Sequence, residues 1–223
     1  MNLNLRLPVN KRIKYIVRIL FIMVFSFCVG MFLRADNYGL MNAFIAALGF
    51  VLTFIPKAVE NITKRKIRFS ATMECAIIIF IFAAQILGEI GSFYERFPWW
   101  DTMLHASSGV MLALIGFMIV TALNEYDRSK VHLSPLFVAM FAFSFALSLG
   151  ALWEIFEFCA DRFLGTDMQK YLPPNGVTAL KCENWKYDAG LVDTMCDLIV
   201  DAVSALIISL GGFIKLVRKD RKA

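Results

Sequence analysis

Gly190-Leu191-Val192-Asp193-Thr194-Met195-Cys196-Asp197-Leu198-Ile199-Val200-Asp201 opens the last long apolar run of the chain, which continues through Ala202 to Leu216. Three aspartates stand four residues apart in it. At about 100° per residue, a helix puts Asp193, Asp197 and Asp201 within about 80° of one another, a carboxylate stripe on one face. An ionisable side chain at the centre of a membrane helix costs roughly 2.5 to 3.5 kcal/mol on insertion scales, so three on one span require a compensating partner. The stripe therefore predicts both a spanning helix and a polar centre to which other helices contribute.

Composition agrees with a membrane chain. Of 223 residues, 59% are hydrophobic and 18% charged, with mean hydropathy +0.64, whereas soluble domains have about 45 to 50% apolar and about 25% charged residues. The apolar runs predict an all-α, polytopic bundle of six transmembrane helices, near 15–33, 38–55, 69–93, 101–123, 134–159 and 190–216, joined by an outer loop over 160–189. The length suits one integral membrane domain, 1–223. The first run follows a basic leader and has no small-residue cleavage site after it, so it reads as a retained helix, with Arg18 able to snorkel toward the basic side. Pro56 closes the second span. The formal charge of +5 resides mostly in the connections, which makes the lipid bilayer the expected partner and excludes nucleic acid. Five cysteines (28, 75, 159, 182, 196) follow no CxxC spacing, so no thiolate zinc site is expected. A disulfide between Cys159 and Cys182 requires that both face an oxidising side, which the sequence leaves open.

The leader, the 57–68 connection, the 124–134 link and the tail hold 16 Lys and Arg, against 6 in the opposite connections. The positive-inside rule then predicts cytoplasmic termini in a multi-pass protein of the cell membrane. That topology brings Glu89, Glu154, Glu157, Asp161, Asp101, His105, Asp193, Asp197 and Asp201 into the outer half of the bilayer.

Several of these residues fall at spacings that suit chemistry. Asp101-x3-His105 puts an acid and an imidazole on one helix face, an arrangement for two ligands or for a carboxylate orienting a histidine. Asp101 alone also suits a helix cap. Glu154 and Glu157 share a face by the i, i+3 relation, with Gly150 one turn earlier leaving room for a neighbour. Both glutamates approach a helix C-terminus, where the dipole disfavours negative charge, so they call for cations or shared protons. His105, Glu154, Glu157, Asp193 and Asp197 are the candidate metal ligands, Asp101 and Asp201 the candidate general bases, and Glu89 and Asp161 supporting acids. Oxygen-rich donors with one nitrogen suit a divalent metal, Mg, Mn, Zn or Fe, better than a soft ion.

Asp101-x3-His105-x3-Gly109, Trp153-Glu154-x2-Glu157 and Asp193-Thr194-x2-Asp197, in that order, resemble the YjdF-like family of bacterial inner-membrane proteins, over roughly the second half of the chain. The resemblance implies a polytopic helical membrane protein and names no reaction. The aspartate motif of CDP-alcohol phosphotransferases matches only at Asp197-x3-Asp201, and a ferritin-like di-iron site needs two Glu-x2-His pairs, which His105 and the distant His132 do not provide. Three functions are compatible with the pattern. One is a metal-dependent hydrolase or transferase acting on a lipid or polyprenyl phosphate from the outer leaflet. The others are an ion- or proton-coupled transporter using the same acids, and a non-catalytic membrane scaffold.

Overall fold

The computed structural model describes residues 9–33, 37–64, 66–126, 133–169 and 189–221. Among them every regular element is helical, the form in which a segment satisfies its own backbone polar groups within lipid. In chain order these are α1 (Val9–Leu33), α2 (Asn37–Leu52), α3 (Ile55–Ile62), α4 (Ala71–Phe82) running on into a π-helical stretch (Ala83–Ile90), α5 (Phe93–Arg96), α6 (Trp100–Tyr126), α7 (Pro135–Leu164) and α8 (Ala189–Asp220). Among the described residues five stretches are long and apolar enough to cross a bilayer: Lys11–Leu33, Ala71–Ile90, Trp100–Leu123, Pro135–Leu164 and Gly190–Lys219. The pair Gly39–Leu52 and Ile55–Ile62, bent by about 40°, passes the same test only when its two helices are joined, as a broken span or a re-entrant loop.

That bend corrects the reading of Pro56 as a terminator. The helix stops at Leu52, and Pro56 stands in the first turn of α3, where its missing N–H is not needed and its fixed φ favours the helix. Other ends obey local chemistry that the apolar runs alone did not give. Ser70 accepts a hydrogen bond from Met73 N at 3.1 Å and starts α4, and Ser134 accepts from Phe137 N at 3.3 Å to start α7. The latter helix runs past Cys159 to Leu164, stopped by Gly165 at φ 69°, a left-handed residue that glycine adopts freely. The 2.8 Å bond from Gly91 N to Ile86 O spans five residues, the pattern of the π-helical stretch it closes.

The chain divides into two compact units, Met1–Leu104 and His105–Ala223. In the first, α1 packs on α2 and α4. Its core is Val17, Phe21, Ala46, Ile78 and Ile86, with Phe21 fully buried and edge-on to Phe82 at 5.4 Å. Arg18 does more than snorkel. Its guanidinium donates to Thr53 O and Thr53 Oγ1, both at 3.1 Å, and so answers a carbonyl left open where α2 breaks.

The second unit packs α7 on α8 around small residues. Ala113, Ala146 and Ala205 form its buried cluster, and a Cβ on Gly116 would come within 2.8 Å of Ala142 Cα. Membrane helices gain little from the hydrophobic effect against lipid and associate by close backbone approach, which such residues allow. Ala146→Leu is expected to cost about 1 to 3 kcal/mol by overpacking, read as a lower thermal midpoint in detergent.

Candidate metal centre

The second unit carries its ionisable groups on the helices that alanine and glycine bring close. His105 sits on α6, Glu154 on α7, and Asp197 and Asp201 on α8, with exposures of 6%, 3%, 4% and 1%. A Cβ on Gly109 would lie 2.9 Å from Asp201 O, and one on Gly150 would run into the Asp201 carboxylate. These two glycines therefore make the space in which α6, α7 and α8 present their polar side chains to one another.

His105 is the hub. Its Nδ1 lies 3.3 Å from Asp201 Oδ2, while its Nε2 lies 3.7 Å from Glu154 Oε1 and 3.9 Å from Asp197 Oδ2. Ser108 holds the other Asp201 oxygen: its hydroxyl is 3.0 Å from Asp201 Oδ1 and 2.8 Å from His105 O, and its single proton serves one of them at a time. When Nδ1–H donates to Asp201, the neutral ring keeps its lone pair on Nε2. That lone pair meets two carboxylates, which are themselves acceptors. Acceptors gathered in this way favour positive charge, a proton or a metal ion, among their atoms. The 3.7 and 3.9 Å separations exceed the ~3.2 Å reach of a good N–H···O bond. They are a few tenths of an ångström wider than the ~3.4 Å set by tetrahedral bonds of about 2.1 Å. The donor set therefore fits a divalent ion after small side-chain shifts. His105 and Asp197 belong to a group with the ligand atoms and spacing to hold a metal.

The basic residues of these helices stand apart from the centre. Lys215 follows Asp201 by 14 residues, roughly 21 Å along α8, and Arg162 follows Glu154 by 8, roughly 12 Å along α7, and is exposed.

The remaining candidates differ in burial and in partners. Asp101 is half-buried, one turn before His105 on α6. Glu157 is buried one turn beyond Glu154 and accepts from Trp153 Nε1 at 2.7 Å. Asp193, half-buried, is a turn nearer the start of α8 than Asp197. Glu89 is exposed at the end of the π-helical stretch. Asp161 has a structural role, accepting from Thr166 Oγ1 at 2.5 Å, Met168 N at 2.7 Å and Gln169 N at 2.8 Å, and Gln169 Nε2 in turn donates to Thr194 at 2.7 Å. This carboxylate folds the turn after α7 and ties it to α8. Asp161→Ala is expected to cost about 1 to 3 kcal/mol and to speed hydrogen exchange at Met168 and Gln169. His132, Cys182 and most of the 160–189 connection lie outside the described residues, and with them the Cys159–Cys182 pairing.

Sequence reasoning passed over Ser108 and gave Trp153 no polar role. The signal for Ser108 was present, since His105-x2-Ser108 is an i, i+3 pair on the helix face that meets Asp201.

The sequence profile of a family described as predicted membrane protein (DUF2238) matches residues 15–218. A protein of Thermotoga maritima, described as uncharacterised, is 25% identical over 169 residues, covering 76% of this chain and 73% of that relative. No solved structure matches the chain.

Proposed function

From the premise that the chain belongs to the DUF2238 family of predicted membrane proteins, in line with the YjdF-like resemblance of its motifs, we propose that it is a membrane-embedded metalloenzyme. Its centre is His105 with Glu154 and Asp197, and its reaction is hydrolysis or transfer at a lipid or polyprenyl phosphate. The observation that carries this reading is the imidazole held by Asp201 on one nitrogen and turned on the other toward Glu154 and Asp197. Carboxylate–histidine pairs of this kind fix the tautomer and raise the basicity of a metal-binding nitrogen.

In this reading Asp201 positions His105 and does not act as the base. Asp101, one turn before His105, takes the proton of the attacking group. A divalent ion, Mg, Mn, Zn or Fe, would supply a Lewis acid for the phosphate and lower the pKa of bound water. Glu154 and Asp197 would hold it, and Glu157, fixed by Trp153, adds negative charge beside them. The exposed apolar side chains of α7 and α8, among them Leu152, Ile155, Phe156, Val203 and Ile207, support a substrate with a lipid tail. The distribution of Lys and Arg supports a centre opening toward the outer leaflet of the cell membrane.

Reconstitution with lipid-linked phosphate esters tests the proposal. Release of phosphate is expected only with divalent ion, stopped by chelator, and lowered at least about a hundredfold in Glu154→Gln, by analogy with other groups that stabilise developing charge. Cation flux across the vesicles without phosphate release would overturn it in favour of a carrier. Asp201→Asn is expected to weaken metal binding by about 10- to 100-fold while leaving the ion in place at high concentration, measured by titration calorimetry.

A further inference from the structure

The first unit holds a second polar feature that the metal centre does not use. A cavity of about 190 Å³ is lined by Lys14 and Arg18 of α1, Thr53 and Phe54 at the α2 break, Lys57 of α3 and Glu74 of α4, among others. Three of those side chains are cationic and one is anionic. Lys14 is ion-paired with Glu74, Lys57 with Glu60 at 3.1 Å, and Arg18 lies 4.1 Å from the centroid of the Phe54 ring while bonded to Thr53. Arg18 uses two of its nitrogens on Thr53, and a guanidinium carries five N–H donors. Lys57 stands in the first turn of α3, the end whose dipole favours an anion.

We propose that this cavity binds a phosphate-bearing anion, either the headgroup of an acidic phospholipid or free phosphate. Basic pockets between membrane helices select such headgroups, each Lys or Arg near the surface contributing about fivefold in affinity. The volume is below the roughly 300 Å³ at which drug-sized ligands begin, so it suits a headgroup and leaves the acyl tails outside. Phe54, which lines the cavity, is itself exposed and offers an apolar contact for a tail.

The test uses the full chain in phosphatidylcholine nanodiscs, with bound lipid counted by native mass spectrometry. Wild type is expected to retain phosphatidylglycerol at least about fivefold over phosphatidylcholine. Lys57→Gln should lose most of that preference, and Glu74→Gln should increase it. Lys11→Gln, an exposed cation of α1 that is not among the cavity's lining residues, should leave it unchanged. Displacement of the lipid by millimolar inorganic phosphate identifies the phosphate group itself as the ligand; resistance to it identifies the headgroup with its tails. Equal retention of the two lipids by wild type overturns the site, as does an equal loss in Lys11→Gln and Lys57→Gln, which would signify surface attraction alone. Arg18→Gln also removes the bonds to Thr53, so Lys57→Gln, which leaves them intact, is the decisive variant.

Discussion

His105→Ala is expected to bind no divalent ion at concentrations that saturate the wild type, a loss greater than about a hundredfold in affinity. The magnitude comes from comparison with the Asp201→Asn change, which removes only an orienting partner and falls in the range of about 10- to 100-fold for such residues. Removing the imidazole deletes a donor outright and leaves Glu154, Asp197 and Asp201 around an empty space. Each is almost wholly buried. The variant should keep its helical circular dichroism, since alanine is a good helix former, and calorimetric titration would show a flat trace. Glu154→Gln and Asp197→Asn should act in the same direction. Asp161→Asn should not, because its oxygens are engaged in the turn that follows α7. Metal affinity unchanged in His105→Ala would place the ion elsewhere.

The largest expected loss of stability is at Gly150. A methyl group there already meets the Asp201 carboxylate, so Gly150→Leu must push Asp201 from His105 and Ser108 or force α7 away from α8. Overpacking a tight contact costs about 1 to 3 kcal/mol, and losing a buried hydrogen bond to a charged group costs about 1.5 to 3 kcal/mol. The two overlap, and about 4 kcal/mol is expected in total, a large part of a typical folding free energy. Gly211→Leu is the control, since nothing lies within 4 Å of a Cβ there, and it should change stability by less than about 0.5 kcal/mol. Thermal unfolding in detergent reads both. Equal midpoints for the two variants would contradict the close approach of α7 and α8.

Much of this architecture was legible because lipid imposes simple rules. A run of some twenty apolar residues has few alternatives to a helix, so α1, α6, α7 and α8 stand where the sequence places them, each extended by several residues at one or both ends. The α2–α3 bend was misread because a proline that ends one helix and a proline that begins the next look alike until the residues before it are seen to leave the helix at Leu52. The centre was legible for a related reason. Asp197 and Asp201 lie too deep in α8 for capping, and His105 lies a turn inside α6, so each pointed to partners on other helices. What periodicity does not encode is which of the gathered acids meets which nitrogen. Asp201, one of the two candidate bases, stands against Nδ1 of His105 where Gly150 and Gly109 admit it. Asp161 has the same residue type, yet it is used by its own turn through Thr166, a local bond that helical spacing leaves invisible.

The measurement that bears most directly on the proposed metal centre is elemental analysis of the full chain purified without chelator, joined to X-ray absorption spectroscopy of whatever ion it contains. We expect about one divalent ion per chain, with one imidazole nitrogen and carboxylate oxygens at about 2.0 to 2.2 Å. A folded, ion-free protein that also refuses added metal, or an ion ligated by sulfur, would contradict it.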